Sequence, residues 1–470
     1  VKFVVRETAS DEPEILTMRF YLFILANGLL FIRPSELIAE LAAVEIYRWV
    51  IVACLAVSFP SVVQQMSLRY PGVPPVASCV LLLLPSVFVS GLFHGNFELI
   101  SDTVTEFVKI VIYFVLMITL VVDLTRLRQF LLWIGLFSAL VTLIAVLRYH
   151  ADIALPAPPP KASAGKKDVM HGTFVVDKTK DAQTGAMVDV QRMCGTGIFN
   201  DPNDFALVLV TAIPMCLYWL TDPTWKTWRP FWLTLLLFFG YALMLTHSRG
   251  GFLALLAGLM TLVHLKFGGK KTVLLGLCLV PMMLVVFAGR MTNISSDEGT
   301  GQTRIQLWAD GLYIFQQSPL IGVGMENYRQ FSRHVPHQSF IHCFTELGLI
   351  GGTLFLGAFY LALKGMYDLR QPAPVDGETD EVDPEMRRLY PYLMATLIAY
   401  TVGICFLSRS YIVPTYMMLG LAVVYMRVHA AQVTAPLPAW TFSTWPRLAG
   451  ISFGFLLASN VFVRVFATRH

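Results

Sequence analysis

The chain is short of charge. Asp, Glu, Lys and Arg make up 14% of its 470 residues and hydrophobic side chains 56%, whereas a soluble domain averages roughly 25% charged residues. That excludes a water-soluble globule. The net charge is only +4, so the basic footprint of a nucleic-acid binder is missing too. The seven cysteines include no Cys-x-x-Cys and no Cys/His cluster at zinc spacing, which argues against a disulfide scaffold or structural metal. Cys54, Cys79, Cys216, Cys278, Cys343 and Cys405 fall within or beside apolar stretches, and Cys194 alone lies in a long polar one. A cleavable leader is not evident: the first apolar run follows Glu7, Asp11, Glu12 and Glu14 without a small-residue cleavage site, so the first span is expected to stay in the protein.

Long apolar runs are what the chain has in abundance. A helix needs roughly 20 mostly apolar residues to cross the hydrocarbon core, and about twelve such stretches occur. They centre near Leu29, Ala53, Leu83, Phe114, Ser138, Thr211, Leu236, Ala257, Cys278, Leu354, Leu397 and Leu419, with a weaker thirteenth around Gly454, residues 447–465. The expectation is an all-α, polytopic transmembrane helix bundle, residues 1–470 forming a single integral membrane domain. Counted over short loops, Arg69, Arg126, Arg128, Lys226, Arg229, Lys266, Lys270, Lys271, Lys364, Arg370, Arg387 and Arg388 fall on one side, the cytoplasmic side by the positive-inside rule. Arg249 and Arg409 are the exceptions.

Two long segments are expected to project outward. Residues 150–203 open with Pro156 to Lys161, an extended tether by composition, and then alternate in the strand period on either side of Asp181 to Gly185, which suggests a small hairpin. Residues 289–336 carry Arg290, Arg304, Arg329, Arg333 and His334 around an amphipathic stretch from Ile305 to Phe315. Loops this long are usually functional or disordered, and this one reads as the functional loop with a short helix. On the cytoplasmic side, residues 366–388 hold Asp376, Glu378, Asp380, Glu381 and Asp383, a solvated acidic linker.

Four motifs then occur in order: Gly197-Ile-Phe-Asn-Asp-Pro-Asn-Asp-Phe-Ala206, Ser248-Arg-Gly-Gly251, Arg304 leading to Pro319-Leu-Ile-Gly-Val-Gly324, and His337-Gln-Ser-Phe followed by Glu346-Leu-Gly-Leu-Ile-Gly351. Together they cover about residues 195–352 and resemble the O-antigen ligase and O-antigen polymerase superfamily of bacterial envelope glycosyltransferases. The early Phe31-Ile-Arg-Pro-Ser-Glu-Leu37 is similar to members of this group as well. One departure is Gln338, where the family often has Asn after the histidine.

The resemblance implies transfer of a glycan from a polyprenyl-diphosphate carrier to a sugar hydroxyl at the outer face of the bacterial inner membrane. It implies a metal-independent, inverting reaction without a cofactor. Its partners would be the lipid-linked glycan, an acceptor glycan and membrane lipid, with a flippase and a chain-length regulator as further candidates and no nucleic acid. Arg249 and Arg304 are implied as phosphate ligands, since guanidinium meets phosphate oxygens in a bidentate fork. His337 is implied as the base or acceptor-orienting group, because imidazole alone titrates unperturbed near neutral pH. Gly250 and Gly251 would permit close approach, and Gln338, Asn203 and Tyr328 are candidate substrate contacts. Nothing identifies a lipid A core acceptor, which favours polymerase over ligase.

Each residue also has a plainer reading. Arg249 fits a side chain that snorkels to headgroups from a span end, Arg304 a surface charge, and His337 an interfacial histidine at a helix start. Asn200, Asp201, Asn203 and Asp204 read first as caps of the next span. His247 and His342 read as packing, and Glu346 as an inter-helix partner, since nine residues beyond His337 is the opposite face of a straight helix. His334-x-x-His337 has metal-ligand spacing but no evident third ligand. The alternative from another class is a secondary transporter of an anionic solute, for which charged or broken helices at mid-membrane and paired repeats are expected. No repeat is evident in the sequence. A non-enzymatic scaffold would need neither Arg249 nor His337.

Overall fold

A computed structural model describes residues 13–41, 44–66, 75–93, 97–151, 174–180, 187–286, 300–332, 334–370, 382–433 and 440–467. Its helices are α1 (Pro13–Ile32), α2 (Pro34–Leu37), α3 (Ile46–Met66), α4 (Pro75–Leu92), α5 (Phe97–Leu120), α6 (Leu124–Ala151), α7 (Pro202–Leu220), α8 (Arg229–Thr246), α9 (Arg249–Phe267) and α10 (Gly269–Val286). After these come α11 (Thr300–Gln317), α12 (Tyr328–Phe331), α13 (Ser339–Asp368), α14 (Pro384–Ile404), α15 (Val413–Gln432) and α16 (Thr444–Phe466). Between α6 and α7 stand β1 (Phe174–Lys180) and β2 (Met187–Met193), an antiparallel pair in which Phe174 faces Met193. That is the hairpin expected from strand-period alternation, and it adds one small sheet to an otherwise helical chain. The tether 156–160, residues 289–299 of the second outer segment and residues 371–381 of the acidic linker lie outside the described residues.

Among the described residues, ten helices are long and apolar enough to cross a membrane, so the expected count of about twelve is not reproduced. All twelve centres do fall in helices, but those at 269–286, 384–404 and 413–432 are not among the ten. For α14 and α15 the reason lies in the packing. Both are buried along most of their length by other helices, so polar residues such as Thr396 and Thr415 are tolerated there, and hydropathy, which registers exposure to lipid, understates them. The weaker stretch around Gly454 is, conversely, among the ten as α16.

Alternation of the helices gives the bundle two distinct ends. At one end Arg128 and Arg388 converge on the buried carboxylate of Asp222, at 2.8 and 2.6 Å, and Lys266 donates to the Tyr392 hydroxyl at 2.6 Å. These are residues that the loop-charge count places together. The other end carries the hairpin, α11, α12 and the starts of α7, α9, α13 and α15, and there every motif of the sequence gathers. Even the early Phe31 to Leu37 stretch belongs to it, because Glu36 pairs with Arg33 at 2.8 Å and accepts from the Gly197 N–H at 2.7 Å.

Helix α13 departs from the straight rod assumed for it. Gly348 has φ 65° and ψ −163°, a conformation that side-chain-bearing residues avoid, and the helix breaks there. Residues 319–324 run alongside the break and satisfy its backbone: Val323 N–H donates to Thr345 at 3.1 Å, Gly324 to Glu346 at 2.9 Å, and Leu349 N–H donates to Pro319 at 2.8 Å. Gly322, φ 72°, lies so close to this strand of backbone that a Cβ would stand 2.3 Å from the Glu346 carbonyl. The Pro-Leu-Ile-Gly-Val-Gly motif and the Glu-Leu-Gly motif are thus two halves of one backbone junction.

Candidate active site

The site begins at the turn between α8 and α9. His247 takes a left-handed conformation, φ 48°, that ends α8, and Ser248 then caps α9 by accepting from Gly251 N–H at 3.1 Å. Arg249 is consequently the first residue of a helix, where backbone N–H groups and the helix dipole favour an anion. The Ser248 hydroxyl also donates to Asn203 Oδ1 at 2.8 Å, and Arg192 of β2 donates to the same oxygen at 3.0 Å and to the Thr246 carbonyl at 3.0 Å. Asn203 completes the brace by donating to Asp201, the cap of α7, at 3.0 Å. Its amide is therefore engaged in joining α7, α9 and the hairpin.

Gly250 and Gly251 serve close approach, but of protein to protein. A Cβ on Gly251 would stand 2.7 Å from the Ala206 Cβ of α7, and one on Gly250 would stand 2.9 Å from the Phe406 Cβ. Phe406 belongs to the turn 405–412 between α14 and α15, and that turn is a hub. Its Arg409 grips the buried Asp204 of α7 through two nitrogens, while the Arg409 N–H donates to Ser339 Oγ at 2.8 Å and Ser339 donates to the Leu407 carbonyl at 2.6 Å. The exceptional outer charge at Arg409 is thus half of an ion pair.

His337 is fixed from both sides. It is left-handed, φ 50°, and the next residue, Gln338, caps α13 by accepting from Ile341 N–H at 2.5 Å. On the other side, Trp308 Nε1 donates to the Pro336 carbonyl at 2.8 Å. Trp308 follows Arg304 by four residues, on the same face of α11. The bond that anchors Pro336 therefore turns the Arg304 face of α11 toward the His337 segment. Burial pushes the Arg304 guanidinium below its ordinary range, the neighbouring positive charges of Arg192 and Arg249 lower it further, and Asp201 works in the opposite direction. Arg192, Arg249 and Arg304 therefore share one electrostatic field.

The structure brings Arg249, Arg304 and His337 to one end around the 405–412 turn, and it adds Arg192, which the sequence reading missed. Tyr328 is fully buried, and its hydroxyl donates to the Leu307 carbonyl at 2.8 Å, so it packs the outer segment. Gln338 is likewise buried and its amide oxygen is occupied by the cap. Glu346 is buried at the break of α13, accepting from Tyr328 N–H at 3.2 Å with His342 Nε2 3.2 Å away. It is a junction residue, in keeping with an inter-helix role. Among the described residues no group of three or more His, Cys, Asp or Glu could hold a metal ion.

Residues 233–356, from the second turn of α8 to the middle of α13, match the family model described as O-Antigen ligase. Arg249, Arg304 and His337 all lie inside that stretch. The protein is a multi-pass membrane protein that carries an O-antigen ligase domain. A search of curated proteins finds no match for the chain.

Proposed function

We propose that the protein transfers a glycan from a polyprenyl-diphosphate carrier to a sugar hydroxyl, with the Arg249 end of the bundle facing the outside of the bacterial inner membrane. The observation that carries the reading is Arg249 at the start of α9, inside the O-antigen ligase match, with Arg192 bonded to the preceding Thr246 carbonyl at 3.0 Å and Arg304, also inside the match, near enough to feel both charges. Guanidiniums that feel one another's charge repel. A diphosphate relieves that repulsion, and each guanidinium offers it a forked pair of donors.

In the reaction, the acceptor hydroxyl oxygen attacks the anomeric carbon from the side opposite the diphosphate. The bond from that carbon to the diphosphate oxygen breaks, and the electron pair leaves with the polyprenyl diphosphate. The anomeric configuration inverts. His337 takes the hydroxyl proton, and the arginines stabilise the charge that builds on the departing oxygen. No redox partner or metal enters this balance. An acceptor that is itself a growing glycan makes the protein a polymerase, the form we favour over a ligase.

Supplying purified protein with polyprenyl-diphosphate glycan tests the reading through release of free polyprenyl diphosphate. The broken helix α13, with the buried Glu346 beside the break, is the feature an anion transporter would share. Solute uptake into protein-loaded vesicles, without release of carrier, would favour that second reading.

A further inference from the structure

Beside the His337 segment lies a second polar space. A cavity of about 350 Å³ is lined by Glu326, Arg329, Val335, His342, Glu346, Ser408, Arg409, Tyr411 and Ile412, a size at the lower end of the roughly 300–1,000 Å³ typical of small-molecule sites. The Ser408 hydroxyl and His342 Nδ1 are buried without an aligned partner among the described residues; Glu346 Oε2 and the Tyr411 hydroxyl also lack an aligned bond but lie against each other, and His342 Nε2 stands 3.2 Å from Glu346 Oε1. Buried polar atoms left so are rare and costly. Their gathering around one space is an arrangement that a hydroxyl-rich molecule satisfies, since it offers donors and acceptors by turns.

We propose that this cavity is the subsite for a neutral sugar residue of the acceptor glycan. Its charges favour neutrality. Arg409 is already held in a two-point pair by Asp204, which leaves, among the described residues of the lining, the carboxylates of Glu326 and Glu346 against the guanidinium of Arg329 and the imidazole of His342. A phosphate or an acidic sugar is repelled there, whereas it is drawn to the arginine cluster. Glu326 and Glu346 feel each other across the space: burial raises the Glu326 carboxyl above its ordinary range, and the charge of Glu346 adds to the effect. The location suits an acceptor. Val335 lies two residues before His337, and the turn bearing Ser408, Arg409 and Tyr411 is bonded to Ser339, two residues after it. A sugar seated in the cavity would thus present a neighbouring hydroxyl to the imidazole.

The assignment rests on the transferase reading, and the test keeps the two apart. The probe is a glycan fragment released by mild acid from the lipid-linked glycan of cells lacking this protein and tagged with a fluorophore at its reducing end. Its affinity for the full-length protein in lipid nanodiscs is read by anisotropy, with binding of the intact lipid-linked donor measured in parallel. Ser408→Ala and Tyr411→Phe each remove one hydroxyl and should weaken the fragment roughly 3- to 10-fold. Ser408→Trp, which fills the space, should abolish fragment binding, and donor affinity should stay within about twofold in both conservative variants. Unchanged fragment affinity, a loss confined to the donor, or no binding of the fragment by the unaltered protein overturns the cavity assignment. Fragment binding that follows these expectations without any glycan transfer leaves the cavity assignment standing and removes the transferase reading.

Discussion

Arg249→Lys is expected to be nearly as damaging as Arg249→Ala. A lysine ammonium keeps the charge at the start of α9 but lacks the planar fork, and a hydrogen bond to a charged group contributes about 1.5–3 kcal/mol. Transfer at limiting donor should therefore drop by at least about tenfold in both variants. Full activity in the lysine variant would mean that charge alone suffices and would end the bidentate assignment. Arg192→Ala should weaken donor use as well, and it should loosen the α8–α9 turn, since the same side chain holds Thr246 and Asn203. At this scale the sequence was partly legible. Arg249, Arg304 and His337 stand in motifs, and motifs are local. Arg192 stands in a polar hairpin with nothing beside it to mark it, and the pairing of Asp204 with Arg409 joins residues 205 positions apart. The burial of Tyr328 was not legible, because an aromatic beside a functional loop gives no local sign of what packs over it.

Among the elements, the pairing of α7 with α9 governs where Arg249 sits. Gly251→Leu should force these helices apart, because even a Cβ would meet Ala206 at 2.7 Å, and overpacking of this kind costs about 1–3 kcal/mol. The expected result is a lowered unfolding midpoint in detergent together with reduced transfer, and a smaller effect for Gly251→Ala. An unchanged midpoint in the leucine variant would show that the two helices have room to spare. Apolar runs announced nearly every long helix, and strand-period alternation announced the hairpin. The break in α13 was hidden, since glycine is common in membrane helices and nothing in Glu346 to Gly351 alone distinguishes Gly348. Its cause is tertiary: residues 319–324 supply the backbone partners that let the helix open. The central helices α14 and α15 were visible as runs, but their composition follows their protein neighbours more than lipid.

For the whole molecule, the separation of charge between the two ends predicts a definite topology. A single cysteine at Gln330→Cys should react with an impermeant reagent in intact cells, and one at Lys270→Cys only after the membrane is opened. The reverse pattern would turn the bundle over and place the arginine cluster on the wrong face for an exported glycan. Composition established a membrane protein and loop charge proposed its orientation. That the four motifs meet at one end became visible only when the alternating helices were laid side by side, with the turn 405–412 tying α7, α9 and α13 together.

The most direct measurement is carrier release by purified protein in nanodiscs, supplied with polyprenyl-diphosphate glycan at saturating concentration. Longer glycans should form, with one free polyprenyl diphosphate for each linkage made. His337→Ala should still bind the donor while slowing transfer about 10²–10⁴-fold, the usual range for losing a general base. Equal turnover in His337→Ala at saturating donor and acceptor would take the imidazole out of the chemistry, and an unaltered protein that binds the donor yet releases no carrier would contradict the transferase itself.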